Sequence, residues 1–472
     1  MEVSIRPLVA PGKPAGTVRV WVAVLGYGAL PDLAWTVDGA AVAPQPVLPL
    51  RPAYPEAGSL RVATGVVDLI GLPADRTTRT VRVVASAPGV PPVDCALAVR
   101  SVPAEVPRDG SSFNVLLVSC FYRGGDKAGR CGVVVDGLTG LDRPDVVLTV
   151  GDQVYLDQPP LIGSFDDERL AATFAQKYRD NFVGTDGYAA VLRAAAVAAI
   201  PDDHEYWNNY PHPAVLTLQS LWRRDDLAQN PWRRAARAMY DAFQLGSPDG
   251  YSTRFDVPPL SFFMMDNRTF RATDGETTLR AADLQRYRDW VEDVVADRLV
   301  PVLVTGPSLL QPVKHGWDKV KDRNFANYGD YGAVMDGLTG LARRGRGVLA
   351  LTGDVHYGRV TDARIFGTTP EAGTPFGTIR EVISSPTALV WGSDHQRADV
   401  PPTHFAPGEP AVKLDTSATW PAPADIRGDH VALLKFTRNA GGVALEVQYR
   451  MIREVHGPKR GSYALPPVVL PA

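Results

Sequence analysis

The chain has 472 residues, a formal net charge of -3 and a sequence pI near 6.3. With 45% hydrophobic and 21% charged residues it falls outside the disordered class, and its charge balance gives no global attraction to nucleic acid or to an anionic membrane. Three cysteines, Cys95, Cys120 and Cys131, do not make a disulfide framework. The opening Met1-Glu2-Val3-Ser4-Ile5-Arg6-Pro7 lacks a basic stretch followed by an apolar one, and no apolar run has the length of a bilayer span. The expectation is a cytoplasmic protein without a membrane span, although a secreted mature form would read the same way.

Residues 1–106 read as all-β. Val18-Arg19-Val20-Trp21-Val22 and Arg79-Thr80-Val81-Arg82-Val83 alternate partly at period two, and Leu97-Ala98-Val99 lies in a further strand, with Pro/Gly turns between them. Such strands suggest a small immunoglobulin-like sandwich, with residues 102–110 as a linker and no catalytic candidate before it. Residues 107–472 then form the second domain, in which strands and helices mix in an α/β or α+β layered fold. Residues 113–118 predict a strand ending at Ser119-Cys120, and residues 146–150 another ending at Gly151-Asp152-Gln153-Val154-Tyr155. Residues 260–265 predict a strand ending at Asp266-Asn267-Arg268. Residues 282–299 predict an amphipathic helix with Leu284, Tyr287, Val291 and Val294 on one face, running into a strand over 300–305. The apolar run 348–352 ends at Gly353-Asp354-Val355-His356, and residues 431–449 predict a hairpin turning at Asn439-Ala440-Gly441-Gly442.

Two Gly-Asp pairs, each directly after a short run rich in branched residues, carry the chemical signal. Such runs read as buried strands, Gly turns the chain, and Asp then stands at the carboxyl end of a strand, where α/β sheets gather ligands. Between the pairs, Pro201-Asp202-Asp203-His204-Glu205-Tyr206-Trp207-Asn208-Asn209 concentrates acid-base capacity. Carboxylates, imidazoles and a phenol delivered by several strand ends suit a two-metal hydrolytic site. Asp152 can bridge two cations, and Tyr155 can turn its oxygen to one of them. A phenol ionises at neutral pH only beside a strong Lewis acid, which points to a trivalent ion such as Fe(III). Asp354 and His356 fit two ligands aimed at neighbouring metals. Cys120 could ligate as a thiolate. In the Asp202-to-Glu205 stretch one carboxylate can ligate, while His204 can hydrogen-bond a phosphoryl oxygen or protonate a leaving group. A helix N-terminus would explain Asp202 and Glu205 but not His204 or the Trp-Asn-Asn that follows. Arg268 can bind a substrate oxygen bidentately or pair with Asp266. Ser308, in Gly306-Pro307-Ser308, lacks the elbow pattern of a serine hydrolase.

Taken in order, Ser119-Cys120, Gly151 to Tyr155, Asp202 to Asn209, Met265-Asp266-Asn267-Arg268 and Gly353 to His356 resemble the alkaline phosphatase D (PhoD-like) family of the calcineurin-like metallophosphoesterase superfamily. The resemblance spans roughly residues 110–390. It implies a four-layer sandwich of two mixed sheets flanked by helices, preceded by a small all-β sandwich. It implies Cys120, Asp152, Tyr155 and His356 around an iron, and Asp152, Asp203 and Asp354 around a second divalent ion, commonly calcium. Zinc, manganese or magnesium are alternative occupants. His204 and Arg268 are the expected catalytic residues, and Arg123 and Asn208 the expected substrate contacts. No histidine directly follows the strand ending Val304-Thr305-Gly306-Pro307, a departure from many other metallophosphoesterases, and His315 is several residues further on. The expected reaction is hydrolysis of a small phosphodiester or phosphomonoester by a metal-activated hydroxide. Hydrolysis of other phosphorus esters such as triesters, or ligand binding without catalysis, remain as alternatives. Specificity would lie in loops 208–234 and 311–333.

Overall fold

A computed structural model describes residues 1–55, 60–159, 166–214, 217–222, 226–247, 251–273, 276–315, 323–366, 375–390, 393–396, 398, 404–405, 412–418, 426–454 and 462–472. The chain is mixed α/β, with a large mixed sheet, a second mixed sheet and a small antiparallel sheet. In the centre of the large sheet, Phe113–Val118, Val146–Val150 and Ala196–Ile200 run parallel. All residues of the first two strands are buried, as expected of parallel strands covered on both faces. The expected hairpin is present as Gly428–Asn439 and Gly442–Glu454, closed at Asn439 and Gly442, and its first strand pairs antiparallel with Phe113–Val118.

The second sheet carries Leu260–Met265, Val300–Thr305, Val348–Thr352 and Gly377–Ile383 as parallel neighbours. One buried cluster draws Val115, Leu117, Leu148 and Val150 from the large sheet and Phe262, Met264, Val302, Val304 and Leu351 from the second, so these faces bury one another. The opposite face of the large sheet packs on helices Asp167–Phe182 and Pro231–Phe243 through Phe174, Tyr178, Trp232 and Met239. The opposite face of the second sheet packs on helices Ala281–Ala296 and Tyr331–Arg343. The first of these is the helix expected over 282–299, and Tyr287 and Val294 are buried on it as the spacing suggests. Trp290, outside the expected stripe, is buried as well, packed on Phe263 and Tyr287 with its indole N–H donating to Ser261 at 2.8 Å.

The N-terminal strands form a sandwich whose core is Ile5, Val20, Val22, Trp35, Val81, Val83 and Val99. One of its two sheets is not its own. Glu2–Leu8 pairs in parallel with Ala196–Ile200, so the large sheet runs on through Val18–Leu25, Val62–Leu69 and Gln45–Pro52. Arg6 is buried between the rings of Trp21 (4.0 Å) and Phe182 (4.8 Å), and the Trp21 indole donates to Ala242 O at 2.8 Å. The expected linker is packed rather than extended: Val106 is buried, and its N–H donates to Pro258 O at 2.9 Å. No helix among the described residues is long and apolar enough to cross a membrane.

Candidate metal centre

The carboxyl ends of Val146–Val150, Ala196–Ile200 and Val348–Thr352 converge on one cavity of about 330 Å³, lined by Asp152, Asp203, His204, Asn208, Asp354 and His356 among others, and the end of Phe113–Val118 brings Cys120 against Asp152 behind it. Both Gly-Asp glycines are required by close approach. A Cβ on Gly151, at φ +90°, would meet the Asp202 Cβ at 2.3 Å, and one on Gly353 would meet the Ser119 Oγ at 2.5 Å. The residues that follow turn sharply. Of the nine non-glycine residues with positive φ among the described residues, five are Cys120, Asp152, Asn209, Asp354 and His356. Left-handed backbone costs a residue with a Cβ about 1–2 kcal/mol, so unfavourable conformations are concentrated where side chains must point into one space.

Two trios hold ligand atoms within 4.8 Å of one another: Asp152, Asp203 and His204, and Asp202, Asp203 and Asp354. Asp203 belongs to both. The Cys120 thiol lies 3.4 Å from Asp152 Oδ2, accepts from the Ser385 hydroxyl at 3.2 Å and faces the Asp354 carbonyl at 3.6 Å. The Ser385 hydroxyl also accepts the His356 N–H at 3.0 Å, which links the two strand ends. Tyr155 stacks obliquely on His204, ring centroids 4.2 Å apart. Its hydroxyl, like Asp202 Oδ2, is buried without a hydrogen-bond partner among the described residues.

Electrostatics make this a site that wants positive charge. Burial pushes the Asp152 carboxyl well above its usual range, with Asp203, Asp202 and Glu205 adding to the effect against His204. Burial, then Asp152 and Asp354, raises the Cys120 thiol, and burial, then Cys120 and Asp152, raises the Tyr155 phenol. Desolvation, reinforced by His204 and His395, holds the His356 imidazole down at about 4, hence neutral and able to ligate. For His204 desolvation also opposes charge, but Asp157, Asp203 and Asp152 outweigh it and hold the imidazole well above its ordinary range. Asp157 Oδ1 lies 2.8 Å from His204 Nδ1, so Nδ1 is the nitrogen engaged in that pair.

The donor set therefore fits cations. Oxygen donors cluster on the Asp202, Asp203 and Asp354 side, where a hard ion such as calcium suits them. The thiol, the phenol and the neutral imidazole of Cys120, Tyr155 and His356 lie outside both close trios and suit a transition metal.

One expected substrate contact, Arg123, and one expected catalytic residue, Arg268, stand elsewhere. Arg123 is exposed, does not line the cavity and donates to Asp180 O, near the end of helix Asp167–Phe182. Arg268 is buried behind the cavity, ion-paired with Asp202 and donating to Tyr210 O at 3.0 Å. Neither that role nor an ion pair with Asp266 is what the fold provides, because the strand end carrying Arg268 faces the loop after Ala196–Ile200. Asn208 does line the cavity, and its N–H donates to Asp157 Oδ2 at 2.8 Å. The Ser308 hydroxyl donates to Glu381 at 3.0 Å, within the network that fixes the Gly306-to-Leu310 turn.

Sequence reasoning missed the supports. Glu205 accepts the backbone N–H groups of Asp152, Gln153 and Asp202. Burial pushes its carboxyl up to about 7 against the pull of those donors. Lys177, on helix Asp167–Phe182, donates to the carbonyls of Tyr155 (2.9 Å), Leu156 (2.7 Å) and Gln158. Lys314 adds a cation to the cavity wall, its backbone N–H held by Asn327 Oδ1 at 3.1 Å. It lies in one of the loops expected to set specificity; within those loops residues 215–216, 223–225 and 316–322 are outside the described residues. All three cysteines are free thiols.

No protein-family model and no curated protein matches this chain. Among solved structures, one described as "GAP50 the anchor in the inner membrane complex of Plasmodium" is similar at 10% identity with a TM-score of 0.33, covering 75% of this chain and 89% of that one. At that score the likeness carries no argument.

Proposed function

We propose that the chain is a metal-dependent phosphoester hydrolase of the alkaline phosphatase D type, built as a four-layer metallophosphoesterase sandwich. The observation that carries this reading is the convergence of three strand ends on two carboxylate-rich trios that share Asp203, with Cys120 from a fourth strand end beside Asp152. The face-to-face burial of the two mixed sheets, with helices on their outer faces, supports the four-layer part. Iron beside Cys120, Asp152, Tyr155 and His356, and calcium beside Asp152, Asp203 and Asp354, are the proposed occupants; Asp202, with Oδ2 unpartnered among the described residues and grouped with Asp203 and Asp354, joins the second set. Bound cations would polarise the phosphoryl oxygens and supply the hydrolytic hydroxide at neutral pH.

The protein's own groups do the rest. His204, held by Asp157 and charged, presents Nε2 to a phosphoryl oxygen or to the leaving-group oxygen, to which it can give a proton. Lys314 and Asn208 line the substrate side of the cavity and can bind the remaining oxygens. Arg268 positions Asp202 rather than touching substrate.

The test is turnover of bis(p-nitrophenyl) phosphate, its monoester and a phosphotriester, with metal content measured on the same samples. Diester or monoester hydrolysis that falls by orders of magnitude in Asp152→Asn, together with metal content, is the expected result. Full turnover and full metal content in that variant would overturn the site.

A further inference from the structure

A second cavity, about 390 Å³ and larger than the one at the strand ends, lies where the N-terminal sandwich meets helix Pro231–Phe243. One wall is Leu48, Arg51 and Val66 from strands Gln45–Pro52 and Val62–Leu69; the other is Arg233, Arg234, Arg237 and Asp241 from the helix. Crevices between packed units are preferred ligand positions.

Among the described residues the charge is unbalanced. Four guanidiniums face the carboxylate of Asp241 and that of Asp167, which pairs with Arg234. Arg233 and Arg237 are one helical turn apart, an arrangement of like charges that by itself disfavours the helix. Arg237 is fixed by Asp241 (3.0 Å), by the Tyr251 hydroxyl (2.8 Å) and by stacking on the Tyr251 ring. Arg233 is fixed through Nε by the Tyr210 hydroxyl at 2.8 Å. The forks are thus held in place, while Arg51 and Arg234 at the mouth are exposed. Leu48, Val66, Ala238 and Ala242 give the same cavity an apolar side.

The geometry points to a binding site for a small organic phosphate, its dianionic head between the arginines and its apolar body against Leu48, Val66 and Ala238. Planar guanidiniums in fixed positions match phosphate oxygens two at a time, and a dianion meets the two charges left uncompensated among the described residues. The site is separate from the strand-end cavity and shares none of its lining.

The experiment is calorimetric titration of the full chain, stripped of metal with a chelator, with phenylphosphonate, inorganic phosphate and benzoate. Phenylphosphonate is expected to bind at least tenfold tighter than either of the others. Arg51→Ala with Arg234→Ala, and Arg51→Glu alone, should weaken it tenfold or more, and Arg51→Lys with Arg234→Lys should recover part of that loss. Asp152→Asn should leave it unchanged. The arginine substitutions are at exposed positions, and circular dichroism checks that the fold of every variant persists. Equal affinity in the wild type and the double alanine variant overturns the site. Loss of binding in Asp152→Asn moves the ligand to the strand-end cavity and also overturns it. Phenylphosphonate binding no tighter than inorganic phosphate overturns the organic class.

Discussion

Glu205 holds the backbone of Asp152: its Oε2 accepts the Asp152 N–H at 2.9 Å, while Oε1 accepts the Gln153 N–H at 2.6 Å. The same Oε2 takes the Asp202 N–H at 2.8 Å, so one buried side chain fixes two strand-end turns that supply carboxylates to the cavity. Glutamine keeps the shape but turns an amide donor toward at least one backbone donor. Leaving a buried N–H unpaired costs about 1–3 kcal/mol, and disturbing a group that orients ligands typically costs 10–100-fold in metal affinity. Glu205→Gln is expected to lower thermal stability and metal retention together. Unchanged metal content at equilibrium dialysis would show that the turns hold without it.

Tyr155 offers an optical test. Its hydroxyl is buried without a hydrogen-bond partner among the described residues, with the Cys120 thiol beside it. Iron-loaded protein is expected to be coloured by phenolate and thiolate charge transfer, and Tyr155→Phe should shift or bleach the band. Cys120→Ser should alter it separately. Phe keeps the ring contact with His204 and deletes a hydroxyl that has no hydrogen-bond partner among the described residues, so the melting temperature of the metal-free protein should change little. A colourless, fully active protein holding only zinc or manganese would remove iron from the assignment and leave two-metal hydrolysis standing.

Removing residues 1–108 should do more than delete a module. The cut exposes the edge of Ala196–Ile200 where Glu2–Leu8 pairs, and it uncovers Phe182 and Phe243 where Arg6 and Trp21 pack. Open edges and bare aromatic faces favour aggregation. The shortened chain is expected to be insoluble or to melt far below the full one. A soluble, cooperative and metal-loaded fragment in size-exclusion and melting experiments would contradict this.

His430 gives a pH signature outside the cavity lining. Desolvation lowers its imidazole to about 4, and its Nδ1 contacts Gly428 O at 2.8 Å, which the neutral Nδ1–H tautomer satisfies. Its folded pKa is below the unfolded value near 6.5, so the unfolded chain binds the extra proton. Stability present above pH 6.5 is therefore lost as pH falls toward 4, at up to about 1.4 kcal/mol per pH unit for this one group. His430→Asn keeps a donor for Gly428 O and removes the titration. Its denaturation free energy should fall less steeply than wild type between pH 6.5 and 4, and identical slopes would exclude His430 as the source.

The strand ends were legible because a buried parallel strand followed by Gly-Asp is a local pattern, and close approach of Asp202 and Ser119 explains why those positions are glycine. The hairpin at Asn439 and Gly442 was legible for the same reason. Supports that act across the chain were not. Asp157 meets His204 across 47 residues, Lys177 reaches the Tyr155 carbonyl from helix Asp167–Phe182, and nothing local marks a lysine that will cap three carbonyls. The joining of the N-terminal strands to the large sheet did leave a trace. Val18–Leu25 is buried at every position, and its apolar residues interrupt a clean alternation, which signals cover on both faces. Even Arg19 there is buried, against Asp68 at 2.7 Å. Arg123 was misplaced because a position two residues past a strand end fixes neither the loop's path nor the side chain's direction.

The left-handed residues at the cavity have an evolutionary consequence. At Cys120, Asp152, Asn209, Asp354 and His356 glycine would relax the backbone, so each position pits the stability of the chain against the side chain it displays. A population selected only for heat resistance should drift toward glycine there, and would lose the side chains gathered at the strand ends in doing so. Lineages that keep these five side chains in an unfavourable conformation would record selection on the cavity itself, separable from selection on the fold.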